Sequence, residues 1–167
     1  MQVIEFLDAA GDIIVTRRPP EGAGEFVLGD QLIVQESQVG VFFRDGRALD
    51  GFRPGRHTLA TENLPLLKGF LGEGFRGKTP FQAYVYFVST KTFTNLGWGT
   101  ASPVTFRDTD LRMVSLRAYG TYSIRITKPR TFLDTLVGTR GVETTFDLAG
   151  FLRSVIVSRL NESLGRQ

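Results

Sequence analysis

The chain has no cysteine, which excludes a disulfide framework, a thiolate nucleophile and any cysteine-rich zinc site. It has a single histidine, His57, so paired-histidine metal motifs of helical spacing are excluded too. No stretch approaches the roughly 18 consecutive apolar residues of a membrane-spanning helix. The N-terminus, Met1-Gln2-Val3-Ile4-Glu5, lacks the basic start and continuous apolar region of a signal peptide, and Gln2 stands where myristoylation needs glycine. Repeats and low-complexity tracts are missing as well. What remains is 167 residues, 41% hydrophobic and 22% charged, enough for a single folded domain with one sizeable core.

The net charge is +3, and its distribution says more than its sum. Residues 1–75 hold seven basic and eleven acidic side chains; residues 76–167 hold thirteen basic and six acidic. A basic half can face nucleic acid, anionic lipid or the acidic half of another copy, or its charges can interleave with the rest on the folded surface.

Short β-type runs dominate the first two-thirds. Val3–Leu7 and Ile13–Thr16 flank the turn-like Ala9-Ala10-Gly11-Asp12 and predict a hairpin. Gln31–Ser37 and Val39–Arg44 follow, and Asp45-Gly46 is a tight-turn signal. Leu64–Leu71 carries helical spacing with Pro65 in the first turn. Phe81–Ser89 reads as a largely buried strand. From Leu111 to Ile126 the pattern has period two, which predicts one long strand. Val114, Leu116, Ala118, Gly120, Tyr122, Ile124 and Ile126 share its apolar face, and Gly120 suggests a bulge or bend. Thr131–Val137 reads as a short helix. Thr144-Thr145-Phe146-Asp147 then opens an amphipathic helix, with a threonine cap and an acid in the first turn. The expected class is α+β, a mainly antiparallel sheet with a C-terminal amphipathic helix. The expected organisation is one domain over 1–167, cut from a longer chain.

Three constellations could carry chemistry. His57 as a general base needs an orienting partner, with Asp50 or Glu62 available; the plainer reading is a packing histidine. Glu62-Asn63 fits a helix entry better than catalysis. Asp108 and Asp110 have calcium-loop spacing without the glycine or oxygen-rich surroundings, so a turn before Leu111 explains them better. Gly72–Thr79, GEGFRGKT, matches the phosphate-loop string GxxxxGK[ST]. That motif needs a strand before it and a helix after it, whereas here a helix-like segment precedes it and Pro80 with a strand follows.

The exposed face of the predicted long strand offers Arg117, Tyr119 and Arg125, with Arg112 near its start. Arginine interleaved with an aromatic on a sheet suits base stacking, a solvated face or a protein interface, of which the last two are preferred. Arg153 and Arg159 lie off the apolar stripe of the last helix. These six residues form the candidate interaction surface.

Several segments in order resemble the SPFH (band 7) superfamily, in particular its bacterial virion core protein-like group. They include Gln31-Leu-Ile-Val-Gln-Glu-Ser-Gln38, Val41-Phe-Phe-Arg-Asp-Gly46, Pro54-Gly-Arg-His-Thr-Leu59 and Thr61-Glu-Asn-Leu-Pro65. Pro80-Phe-Gln-Ala-Tyr-Val-Tyr-Phe87, Trp98-Gly-Thr100, Phe106-Arg-Asp108 and Leu116-Arg-Ala-Tyr-Gly-Thr-Tyr122 continue the series. The resemblance implies a curved, mainly antiparallel sheet packed against helices. It implies a non-enzymatic scaffold, without cofactor, that forms homo-oligomers at the cytosolic face of the cell membrane. Such a scaffold recruits a membrane-associated protein partner, contacts anionic lipid and belongs to the envelope-stress response. Neither the hydrophobic hairpin nor the acylation cysteine of stomatin- and flotillin-type relatives is present, so recruitment by a partner is the expected route to the membrane. Self-association is expected where the acidic N-terminal half of one copy meets the basic C-terminal half of the next. The alternatives are a basic nucleic-acid-binding domain and a nucleotide-binding protein using GEGFRGKT.

Overall fold

A computed structural model describes residues 1–72, 79–137 and 141–165. The chain divides into two compact units, 1–91 with 125–145, and 92–124 with 146–167. It is α+β with mostly antiparallel pairing, as expected.

In the first unit, β2 (Val15–Arg18), β8 (Phe81–Ser89), β5 (Gln38–Arg44) and β6 (Arg47–Phe52) lie side by side, and β3 (Gly24–Phe26) also pairs with β8. Strands β5 and β6 are joined by Asp45 and Gly46, both at positive φ, the backbone a two-residue hairpin turn requires. A second, three-stranded sheet holds β1 (Val3–Ile4), β4 (Gln31–Val34) and β7 (Gly55–Thr58). Two helices belong here. They are α1 (Pro65–Leu71), with Pro65 in its first turn, and α2 (Pro129–Phe132), which runs on into a π-helical turn at Leu133–Val137.

Both faces of the larger sheet are covered. Phe42, Val85 and Phe87 pack with Leu32 of β4 and Leu67 of α1. Val41, Phe43, Tyr86 and Val88 pack with Leu133 of the π-helical turn. Burial on both faces is why β5 and β8 are nearly continuously apolar and do not alternate. Tyr86 lies deep in the second cluster; burial, then the charge of Glu143, pushes its phenol up to about 12.

The expected N-terminal hairpin does not form. β1 pairs in parallel with β4, and Val15–Arg18 pairs with β8. The intervening loop is held by Asp8, whose carboxylate accepts the N–H groups of Gly11 and Ile13. Asp30, buried at the start of β4, accepts the N–H groups of Gln2 and Val27 and so anchors β1 from 28 residues away.

The second unit contains β9 (Phe93–Gly99), β10 (Val104–Asp108), β11 (Arg112–Leu116), β12 (Tyr119–Ile124) and all but the first residue of the long helix α3 (Thr145–Gly165); Thr145 itself belongs to the first unit. The predicted strand over 111–126 is therefore two strands with different partners: β11 pairs with β10, and β12 with β9. The break falls at Arg117-Ala118. There the Ala118 carbonyl accepts the Thr100 N–H, and the Thr100 hydroxyl accepts the Ala118 N–H, drawing the chain onto β9. The bulge lies between Tyr122 and Ile124, not at Gly120. Gly120 instead makes room for the Trp98 indole, since a Cβ there would stand 2.8 Å from its Nε1. The helix begins at Thr145 with Asp147 in its first turn, as expected. The Thr145 hydroxyl, however, accepts the N–H groups of Ile14 and Val15 at 2.6 and 3.2 Å, so it tethers the N-terminal chain.

Candidate interaction surface

The β10–β11 hairpin turns through Thr109, Asp110 and Leu111. The turn is closed by the Leu111 N–H, which donates to the Asp108 carboxylate at 3.2 Å, the local role expected for that aspartate. Residues opposite one another share a face. Val104 and Phe106 lie with Leu116 and Val114 on one; Thr105 and Arg107 lie with Ser115 and Met113 on the other. No residue of either strand is fully buried, and Leu111 and Met113 remain 69% and 61% exposed at the far end. An apolar end thus projects between Arg107, which lies opposite Met113, and Arg112, which lies opposite Asp108.

Arg112, Arg117 and Tyr119 are all exposed, and Tyr119 is 88% exposed. The structure does not range them along one strand: Arg112 opens β11, Arg117 occupies the break, and Tyr119 opens β12. Arg125 follows β12 and belongs to the first unit. Arg153 and Arg159 are exposed on α3, where Arg159 meets Glu162 at 3.5 Å, one turn along the helix. The expected single face is therefore divided, because the chain changes partner at residue 117 and leaves the second unit after Ile124.

His57 is a packing histidine. Its Nε2 lies 2.8 Å from the Arg53 carbonyl and its ring packs on Phe52. Neither proposed partner orients it. Asp50 is buried, and its two carboxylate oxygens accept the N–H groups of Leu66 and Leu67 at 2.9 and 2.8 Å. It therefore caps α1 from β6, the helix-entry role assigned by sequence to Glu62-Asn63. Asn63 instead bridges its own turn, accepting from Ala60 N–H and donating to the Thr58 carbonyl. Of GEGFRGKT, residues 73–78 lie outside the described residues; helix α1 precedes the stretch and strand β8 follows it, the reverse of a phosphate loop's order. Among the described residues no group of three His, Asp or Glu side chains could hold a metal ion. Among them, too, no helix is long and apolar enough to cross a membrane.

Sequence reasoning missed a groove of about 670 Å³ between β6, α1 and α2. Leu66 and Phe70 stand one helical turn apart on its wall, 43% and 38% exposed, while Leu67 between them is buried. Arg47, Arg130 and Asp134 supply its charges. Arg130 donates to the Ala48 carbonyl at 3.1 Å, which places its guanidinium against the free edge of β6.

Comparison with known proteins agrees with this architecture. The model of the SPFH domain-Band 7 family matches residues 18–167, across both units. A Bacillus subtilis (strain 168) protein named "Uncharacterized protein YdjI" is 26% identical over 145 residues, 86% of this chain and 45% of that protein. The chain thus spans about half the length of the curated relative it matches. No solved structure matches. With a family match that covers nine-tenths of its length, the chain belongs to the SPFH domain-Band 7 family.

Proposed function

We propose that this chain is a non-enzymatic scaffold that self-associates and recruits a protein partner at the cytosolic face of a cell membrane. Family membership supports the scaffold-type, membrane-associated role. The observation that carries the reading is a set of exposed apolar and basic side chains in the second unit: Leu111 and Met113 with Arg107 and Arg112 on the β10–β11 hairpin, and Tyr119 at the start of β12 with Arg117 just before it. Apolar and aromatic side chains beside arginines are the composition of contact surfaces for proteins and anionic headgroups. The segments that resemble the virion core protein-like group extend the proposal to the envelope-stress response.

Co-sedimentation with anionic and neutral vesicles at low and high salt tests the membrane part. Binding to anionic vesicles that salt abolishes is the expected result. No binding to either vesicle refutes direct lipid contact and leaves recruitment through a protein partner. Tyr119 beside Arg117 also favours a second reading, stacking on single-stranded nucleic acid. A steep salt dependence of oligonucleotide binding would favour it.

A further inference from the structure

The self-association just proposed needs a surface, and two features of the fold complement each other. The first is the tip of the β10–β11 hairpin. It presents Leu111 and Met113 to solvent, with Asp110 beside Leu111 and with Arg107 and Arg112 behind. Two-stranded hairpins are marginally stable in water without something packed on them. The second is the groove between β6, α1 and α2. Its exposed apolar residues, Leu66 and Phe70, line it together with the charged Arg47, Arg130 and Asp134. Among the described residues, neither groove arginine is in an ion pair, and neither is Asp110.

We propose that the hairpin tip of one copy seats in the α1–β6 groove of the next. Leu111 and Met113 cover Leu66 and Phe70, and the unbranched methionine adapts to the irregular wall. Asp110 faces Arg47 and Arg130, and Asp134 faces Arg107 or Arg112, so opposite signs meet in both directions. A second copy is the occupant the charge pattern favours, because Asp110 in the turn meets arginines in the groove, whereas an anionic bilayer gives that acid no positive partner. The contact joins two different surfaces, so it is heterologous: each copy offers one tip and one groove, and the contact repeats along an assembly. A single hairpin tip covers less area than a stable dimer needs, so each contact is weak and assembly is steeply concentration-dependent.

The test uses the 167-residue chain and two surface variants, Asp110→Arg/Leu111→Ser at the tip and Arg47→Glu/Phe70→Ser at the groove. Arg47→Glu alone serves as a milder groove variant, and circular dichroism checks that each remains folded. Sedimentation velocity of the unaltered chain should show mass rising with concentration. Either variant alone should need at least tenfold higher concentration for the same rise. An equimolar mixture of the two retains one intact tip and one intact groove. It should form a species of twice the 18.5 kDa chain mass and grow no further. An unaltered chain that keeps its single-chain mass throughout would overturn self-association itself. Association that survives in both variants, or a mixture that forms no pair, would overturn only the tip-in-groove contact. Loss of vesicle binding without loss of mass in the tip variant would assign the tip to the membrane and equally overturn it.

Discussion

Asp50 offers the sharpest test of how this fold is held together. It lies buried on β6 and accepts two N–H groups from α1, 16 and 17 residues further along the chain. The first N–H groups of a helix have no partner within it, and Leu64 at the N-cap provides no side-chain bond. Asp50→Ala therefore strands two donors, one in a fully buried bond, and removes an anion from the positive end of the helix. A lost N-cap costs about 1 kcal/mol and a lost hydrogen bond to a charged acceptor about 1.5–3 kcal/mol, so about 2–4 kcal/mol is expected. With a urea slope of about 2 kcal/mol/M, the midpoint should fall by about 1–2 M at unchanged slope. Asp50→Asn keeps one acceptor but turns an amide donor towards the other N–H, and should cost about half as much. Amide exchange gives the local readout: Leu66 and Leu67 should lose protection while residues of β8 keep theirs. A change below about 0.5 kcal/mol, within the range of ordinary surface substitutions, would refute the cross-element cap.

Other expectations follow from single contacts. Gly120→Ala should cost about 1–3 kcal/mol and shift the Trp98 emission, since its Cβ would stand 2.8 Å from the indole nitrogen; an unchanged spectrum and midpoint would show that β9 and β12 yield freely. Thr145→Val should cost about 1–2 kcal/mol by stranding the Ile14 and Val15 N–H groups, whereas Thr145→Ser, which keeps the oxygen, should cost little; equal effects would contradict the tether. Because Tyr86 is raised to about 12 from an ordinary 10, the folded state binds its proton more tightly than the unfolded chain. The resulting stability is complete below pH 10 and is lost as pH rises towards about 12. Unfolding midpoints across that window should decline less in Tyr86→Phe than in the unaltered chain.

What the sequence revealed was local. Asp45-Gly46 announced the β5–β6 turn because two positive φ angles are needed there, and Pro65 announced α1 because proline suits a first turn. The period-two pattern over 111–126 placed alternate residues on the correct faces, with Leu116 exposed against expectation. It could not show that the strand changes partner at residue 117, because alternation is the same whichever neighbour supplies the hydrogen bonds. The N-terminal hairpin failed for a related reason: Ala9-Ala10-Gly11-Asp12 makes a plausible turn, but the partner that wins for β1 is Gln31-Leu32, fixed by Asp30. Tertiary caps are harder still, since Thr145 and Ile14 are 131 positions apart. The groove drew residues from three separate segments. Its one sequence signal was that Leu66 and Phe70 add apolar side chains to a helix too short to bury all of them.

The charge imbalance between the halves of the sequence bears on how copies meet. The chain crosses from the first unit to the second, returns, and crosses again, so halves of the sequence are not halves of the fold. Counted by unit, the first holds fourteen basic and thirteen acidic side chains and the second six and four. Neither unit is then strongly polarised, and long-range attraction between whole units is weak at physiological ionic strength. Contact must rest on local pairing, which separates two routes to assembly. If the basic half of the sequence drives it, reversing Arg153 and Arg159 to Glu should abolish the rise in mass and make association strongly salt-sensitive. If the hairpin tip drives it, that reversal should change the association constant less than threefold, partly because Arg159 already pairs with Glu162 at the surface. The tip variant, by contrast, should weaken association at least tenfold at every salt concentration. We expect the second pattern, and a mass that falls with the α3 reversal but not with the tip variant would reverse the assignment.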